Sequence, residues 1–440
     1  MKSSPTIFRK FSTFGKWFLG VMLILGAEVL AQQRCGAVAY DSIMAKRYPY
    51  WKLKRQLLED SLKVWRNMSP RQARTGELCE RIVIPVVVHV IHNNASGVIG
   101  GANNTNISKE QIEEQIKVLN EDFRRKPGTL GFNDNPVGAD TGIEFRLATI
   151  DPNGQPTTGI TRTFNAQSSY NIFSEDILLA NLSSWPTDRY LNIWVTRFSG
   201  NFLGIGQFPS VSGIPGLNED NNLQERTDGL FVDFRVFGRG GAVSSNLYDA
   251  GRTTTHEVGH WLGLIHTWGD AFCGDDFCDD TPPAESGNQT SRCGPFFSNC
   301  GGVRTRNMTE NYMDYSPDSC MNIFTRCQAE RMKAVLEKAQ RRARLVRYWC
   351  AALPFGPSLD VEIYPNPAAQ TASFKVIQKS FGTFEIAIYS STGAFVRREV
   401  FEDYPSWVVN VSLQDLPSGT YIARIITKDE SVTKKLVIVR

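Results

Sequence analysis

Apolar residues are spaced differently along successive parts of this chain, and each change of spacing marks a change of architecture. Residues 1–16 carry Lys2, Arg9, Lys10 and Lys16 with no acidic group, and the apolar run from Trp17 to Ala27 follows, closed by Glu28. A basic stretch feeding so short a run describes a signal peptide over 1–31, since a bilayer span takes about 20 apolar residues. A retained anchor is the competing reading. From 32 to 78 the chain is charged and helix-prone, without turn punctuation between Tyr50 and Arg66, and ends in the basic stretch Ser69-Pro-Arg-Gln-Ala-Arg74. This reads as a prosegment with an exposed cleavage site near Arg71 or Arg74, the alternative being a helical subdomain that stays attached.

At Arg81 the pattern changes to Ile-Val-Ile-Pro-Val-Val-Val-His-Val-Ile, a β-branched run that predicts a buried strand. Ser108 with Gln111, and the staple pair Ile107 and Ile112, predict an amphipathic helix from Lys109 to Arg124. Further strands are expected at Ile143 to Ile150, Leu191 to Phe198, Leu203 to Phe208 and Leu230 to Val236. Helices are expected at Ser174 to Leu182, across His256, and from Arg326 to about Val346 behind a Thr325/Gln328 capping box. Residues 79–350 thus form an α+β domain, a mixed twisted sheet with helices. Residues 351–359, rich in Pro and Gly, have linker composition. Beyond them, short β-prone runs separated by turns at Ser391-Thr-Gly393 and Leu416-Pro-Ser-Gly419 predict an all-β, immunoglobulin-like sandwich over 360–440.

Composition narrows the class. Hydrophobic content of 41% with 21% charged residues is globular, and a net charge of +3 offers no nucleic-acid signal. Export puts the nine cysteines in an oxidising setting, and the odd count leaves at least one over. No transmembrane segment is expected after signal cleavage.

The chemistry concentrates in one motif. Of five histidines, three stand in Thr255-His-Glu-Val-Gly-His-Trp-Leu-Gly-Leu-Ile-His266. A spacing of four puts His256 and His260 on one helical face, within reach of one ion. Glu257 lies on the adjoining edge, placed to contact a water rather than the metal. Gly263 can take the left-handed conformation that ends a helix, so that His266 arrives from another direction. Three imidazoles leave a fourth position open, the mark of a catalytic zinc site.

This motif resembles the metzincin metallopeptidases, and Asn311-Tyr-Met-Asp-Tyr315, Trp261 and Asp280-Thr-Pro-Pro resemble the pappalysin family specifically. The likeness covers roughly Ile84 to Val346. It implies a zinc metalloendopeptidase acting on proteins or peptides, with Glu257 as general base and acid, Met313 as an apolar cushion beneath the metal and Tyr315 stabilising the oxyanion. It also implies that the Leu203-Gly-Ile-Gly-Gln-Phe-Pro209 stretch is the edge strand that pairs with substrate. The resemblance suggests disulfides Cys273–Cys300 and Cys293–Cys320, leaving Cys79, Cys278, Cys327 and Cys350 unassigned. Asp318, just past the methionine turn, would favour arginine or lysine after the cut. Asp275, Asp276, Asp279, Asp280 and Thr281 have the oxygen density that suits a structural calcium ion, and a solvated acidic loop is the alternative. Cys35, in Arg34-Cys-Gly36, has the look of a cysteine switch that fills zinc's open position in a latent zymogen; an ordinary free or paired cysteine remains the other reading.

Tyr364-Pro-Asn-Pro367, Leu416-Pro-Ser-Gly-Thr-Tyr421 and the final Lys434-Lys-Leu-Val-Ile-Val-Arg440 resemble the type IX secretion sorting domain, which implies the type IX machinery as a partner and an extracellular or outer-membrane-surface destination. A carbohydrate- or substrate-binding sandwich competes for this module. For the whole chain the rival is a surface binding or adhesion protein with a vestigial zinc site, against which the intact Glu257 speaks.

Overall fold

Strand β2 (Ile82–His92) is buried at every one of its 11 positions, as a strand with parallel neighbours must be. The computed structural model of the chain describes residues 33–66, 82–211, 223–352, 359–378, 383–401, 408–428 and 430–440. The signal peptide, the basic stretch at Arg71 and Arg74, Cys79 and the Cys350 side chain lie outside the described residues. Around β2 run β1 (Gln33–Cys35), β3 (Ile143–Leu147), β4 (Ile160–Phe164), β5 (Leu191–Thr196), β6 (Phe202–Gly206) and β7 (Gly229–Asp233), in the order β1-β6-β7-β5-β2-β3. β4 continues the edge that β3 begins, also parallel to β2. Only the β6–β7 pair is antiparallel.

Period-two alternation divides the two faces of this sheet. Val88, Val90, Ile193, Val195, Leu230 and Val232 face the main core, which α3 (Lys109–Phe123) and the active-site helix α5 (Arg252–Trp261) close from that side. Ile91, Trp194 and Phe231 face the opposite way and pack with Tyr40 and Met44 of α1 (Ala37–Arg47), Trp51 of α2 (Trp51–Arg66), and Ile172 and Leu179 of α4 (Ile172–Leu182). Leu58 and Leu62 of α2 then bury against Ala334 and Val335 of α6 (Arg326–Lys338). The N-terminal helices therefore complete the core rather than decorate it.

Several elements depart from the pattern-based expectation. The helix expected from Arg326 to about Val346 is two, α6 and α7 (Gln340–Ala352), with Ala339 in extended conformation between them. Neither Gly nor Pro breaks it. Instead Arg341 and Arg342 both bind the buried Asp228 carboxylate, at 2.7 and 2.6 Å, and Arg342 stacks 3.8 Å over Trp261. α7 turns to reach that anchor. The expected strand to Val236 ends at Asp233, whose side chain accepts the Arg235 N–H at 2.9 Å and starts a 3-10 turn. β4 and the hairpin β8 (Phe297–Cys300) and β9 (Val303–Arg306) escaped notice because half-exposed polar strands lack an apolar period.

α7 runs to Ala352 and β10 (Leu359–Tyr364) starts at Leu359, so both ends of the stretch expected as a 351–359 linker belong to regular elements, and 353–358 lie outside the described residues. Beyond it, β10, β11 (Thr371–Gln378) and β14 (Val408–Ser412) form one antiparallel sheet. β12 (Phe384–Ser390), β13 (Phe395–Phe401), β15 (Gly419–Thr427) and β16 (Ser431–Ile438) form a second. Val361, Phe374, Ile386, Val409 and Ile425 fill the space between them, the core of a sandwich.

Candidate active site

All ten residues of α5 are buried, and the helix starts after Gly251 at φ 75°. His256 and His260 project from adjacent turns of one face. Gly263, at φ 83°, turns the chain, and His266 returns to the same point. Each imidazole commits its Nδ1: His256 to the Tyr312 carbonyl at 2.6 Å, His260 to the Leu264 carbonyl at 2.9 Å, and His266 to the Asp270 carboxylate. With those protons on Nδ1, three Nε2 lone pairs face one another at 3.1–3.2 Å. That arrangement repels itself unless a cation sits between, and tetrahedral zinc wants its nitrogens ~3.3 Å apart. Burial, joined by the neighbouring histidines, holds His256 well below the usual imidazole range and His260 at about 3, so neutral, metal-ready rings are the stable form. The donor set fits zinc.

Met313 is fully buried directly beneath α5: a Cβ at Gly259 would meet its Sδ at 2.4 Å. Tyr315 packs its ring 4.8 Å from that of His266 and 4.7 Å from Trp268, which itself stacks on His266 at 4.3 Å.

Glu257 is fully buried on the edge of α5 that faces β6. Its Oε2 accepts the Gly206 N–H at 2.7 Å and the Cys35 thiol at 3.5 Å, while Oε1 has no hydrogen-bond partner. Burial pushes this carboxyl up to about 8, against the pull of the Cys35 and Gly206 hydrogen bonds and of Arg34. Two glycines make the approach: a Cβ at Gly206 would meet the Glu257 carbonyl oxygen at 2.3 Å, and one at Gly204 its Cγ at 2.7 Å. The Leu203-Gly-Ile-Gly stretch is thus glycine-rich because helix and strand pack backbone to backbone.

β1 adds to the outer edge of β6, pairing Cys35 with Gly204 in parallel. It delivers the Cys35 Sγ into the same group as the three histidines, all four ligand atoms within 4.8 Å of one another. In the chain by itself, burial and then Glu257 raise this thiol well above its usual range. A divalent cation reverses that preference, because a coordinated thiol is deprotonated. One residue earlier, Arg34 is buried with Asp318: the ion pair is 2.9 Å long with both side chains fully excluded from solvent. Arg34 also donates to the Ser316 carbonyl at 2.6 Å and lies 5.3 Å over Tyr248. Asp318 in turn accepts the Ala250 and Arg252 amides at 3.0 Å, at the start of α5.

The acidic loop is less convergent than its composition suggests. Asp276 accepts the Thr281 hydroxyl at 2.7 Å and the Cys278 N–H at 3.0 Å. Asp280 accepts the Cys327 N–H at 3.0 Å and leaves its buried Oδ1 unpartnered. Asp275 is exposed, and Asp279 reaches out to Arg66 at 3.2 Å. Among the described residues no three of these carboxylates meet at one point. Disulfides join Cys273 to Cys300 and Cys293 to Cys320, while Cys35, Cys278 and Cys327 are free.

Three positions of the site had no individual role assigned from the sequence. Asp270, which orients His266, stands at the helical interval of four from it and was legible in principle. Arg34 was read only as a neighbour of Cys35, and Gly206 only as part of an edge strand.

Comparison with known proteins agrees with this geometry. Residues 180–337 match the pregnancy-associated plasma protein-A peptidase family, and residues 362–439 match the secretion system C-terminal sorting domain. An extracellular metalloprotease 1 of Coccidioides posadasii is 34% identical over 233 residues, covering 52% of this chain and 69% of that protein. An extracellular metalloprotease of Arthroderma otae is 28% identical over 326 residues, covering 72% and 94%. Among solved structures, a mutant of Tannerella forsythia promirolysin superposes with a TM-score of 0.59 at 34% identity, covering 74% of this chain and all of that one. Mature mirolysin from the same organism, in complex with a cleaved peptide, gives 0.53 at 38% identity, covering 62% and 98%.

Fold and site together define a secreted zinc metalloendopeptidase. The chain belongs to the pregnancy-associated plasma protein-A family of metallopeptidases, and it carries a type IX sorting domain at its C-terminal end. Among the described residues no helix is long and apolar enough to cross a membrane.

Proposed function

We propose that this protein is made as a latent zymogen whose activated form cuts peptide bonds on the amino side of arginine or lysine, with Glu257 as the general base and acid. One observation carries the reading: Arg34 and Cys35 sit on the groups that substrate needs, the thiol among the zinc ligands and the guanidinium on Asp318. Residues 32–78 are then an inhibitory prosegment. Its removal, by a cut near Arg71 or Arg74 between α2 and β2, frees both positions at once.

His256, His260 and His266 would hold the zinc ion, which would supply a Lewis acid and lower the pKa of a bound water towards about 7. Glu257, held by Gly206 with its second oxygen uncommitted, takes the proton of the attacking water and passes it to the leaving amine. The outer edge of β6, vacated by β1, offers backbone groups to an extended substrate. Mature mirolysin, a similar structure, binds a cleaved peptide, which supports the same substrate class here. The Tyr315 hydroxyl stabilises the oxyanion as it develops; Tyr315→Phe is expected to lower kcat by roughly 10²-fold with zinc content unchanged. Unaltered turnover would remove Tyr315 from the mechanism.

Hydrogen bonds from the Ala250 and Arg252 amides offset the desolvation of Asp318, which so presents a fixed carboxylate to a planar guanidinium. A peptide-library digest mapped by mass spectrometry tests this: the activated enzyme should cut before Arg and Lys, and Asp318→Asn, which keeps an acceptor for the amides, should lose that preference by ~10-fold or more. A wild-type preference for large apolar residues would sink the assignment.

A structural calcium ion belongs to the same proposal. Burial raises the Asp276 carboxyl to about 7, a cost that a divalent cation beside it relieves, and the Asp280 Oδ1 lacks a partner. Asp276, Asp280 and Thr281 are the members of the acidic set that support it; Asp275 and Asp279 face solvent. Calcium at ~100 times its dissociation constant should stabilise the wild type by about 2.7 kcal/mol and leave Asp276→Asn unmoved in a thermal melt.

A further inference from the structure

Two thiols away from the zinc site have no role in the mechanism. Cys278, in the acidic loop, is buried at 4% exposure, and Cys327, in the first turn of α6, is half-buried; both are free. Their Sγ atoms and an oxygen of Asp280 lie within 4.8 Å of one another. Contacts between the two segments hold the sulfurs there. Cys327 donates its N–H to Asp280 at 3.0 Å and its thiol to the Phe277 carbonyl at 3.4 Å, and Phe277 occupies the left-handed region at φ 62°. The two residues come from distant parts of the sequence, so nothing local requires them to meet.

We propose that Cys278 and Cys327 are joined by a third disulfide in the exported enzyme, fastening the acidic loop to the start of α6. The compartment is oxidising, and the four other cysteines of this region in the described structure are already paired with each other. The third free cysteine, Cys35, sits among the zinc ligands and is no competitor. Cys327 lines a cavity of about 410 Å³ with Arg66, Phe277 and Arg331, so an oxidant reaches it first. That oxidant is a disulfide, either of a thiol–disulfide oxidoreductase on the export route or of a small molecule. The Cys327 thiolate attacks one of its sulfurs, forming a mixed disulfide and releasing one thiol. Cys278 then attacks the Cys327 sulfur, forming the internal bond and releasing the second thiol. Two electrons and two protons pass to the oxidant, and the chain loses both hydrogens.

The bond has a consequence for latency. The loop is the platform for the last turn of α2: Arg66 donates to the Phe277 carbonyl at 2.9 Å and pairs with Asp279 at 3.2 Å, and Lys63 lies 6.0 Å from the centre of the Phe277 ring. Closing a loop of about 50 residues restricts the unfolded chain, and in the folded state it fixes the surface on which the prosegment ends.

The test is peptide mapping of the full-length zymogen secreted by its host, alkylated in denaturant without reduction and then digested. The Cys278 and Cys327 peptides should appear as one linked mass that splits on reduction. Both cysteines alkylated before reduction, or either linked to a different cysteine, would overturn the proposal. Cys278→Ala and Cys327→Ala should each lower the Tm of the zymogen by ~5–10 °C, and the double variant by no more than the larger single loss, since both remove one bond. Additive losses, or a second zinc equivalent that disappears in Cys278→Ala, would show two independent thiols or a metal site instead.

Discussion

Activated enzyme carrying Glu257→Ala is expected to retain one zinc per chain and to lose hydrolysis by at least ~10³-fold. The three histidines stand without help from Glu257, because each ring is oriented by its own Nδ1 partner: the Tyr312 carbonyl, the Leu264 carbonyl and Asp270. The imidazoles cannot replace the lost base, since their Nδ1 atoms are engaged by those partners and their Nε2 lone pairs converge on the metal position. Glu257→Gln separates charge from shape. The amide keeps an acceptor for the Gly206 N–H and loses the base, so it should be as inactive as the alanine variant. Metal analysis beside kcat on a fluorogenic peptide checks both, and a variant with more than a tenth of wild-type kcat would end the assignment. The glutamine change should not weaken the fold, because burial already penalises the ionised carboxyl, whereas alanine leaves the buried Gly206 N–H without this acceptor.

Cys35→Ala should convert the zymogen from latent to active before any cut. With the thiol gone, the space it fills between the three histidines and Glu257 opens to water. Freshly purified full-length Cys35→Ala protein should show peptidase activity at least ~10-fold above the wild-type zymogen and should process itself faster. Arg34→Ala provides the contrast. It leaves Cys35 in place but strands Asp318 without its buried partner, a destabilising change of ~3–5 kcal/mol in the docked prosegment. It should leak less activity than Cys35→Ala while releasing the prosegment more readily to protease. An equally latent Cys35→Ala zymogen would show that docking of α1 and α2, with Tyr40, Met44 and Trp51 in the core, is sufficient without the thiol.

What could be read from the sequence alone was set by interactions within a turn or two of the chain. The spacing of His256 and His260, the left-handed turn at Gly263, the Ser108 cap and the Thr325/Gln328 capping box follow from helical periodicity and from backbone groups that must be satisfied nearby. The continuous apolar run at β2 announced a strand covered on both faces for the same reason. Tertiary structure decided whatever depended on segments that meet only in the folded chain. It set the break at Ala339, because Asp228 recruits Arg341 and Arg342. It gave the glycines of β6 their purpose, because the Glu257 backbone arrives within 2.3 Å of where a Cβ would stand. It divided the acidic set into members that face inward and members that face solvent. It also seated Arg34 on Asp318, a pairing of two buried charges that no local pattern encodes and that exists only because β1 docks on the far edge of the sheet. Local hydrogen bonding selects elements from neighbouring residues, whereas burial of charge and close backbone packing are settled only when distant segments meet.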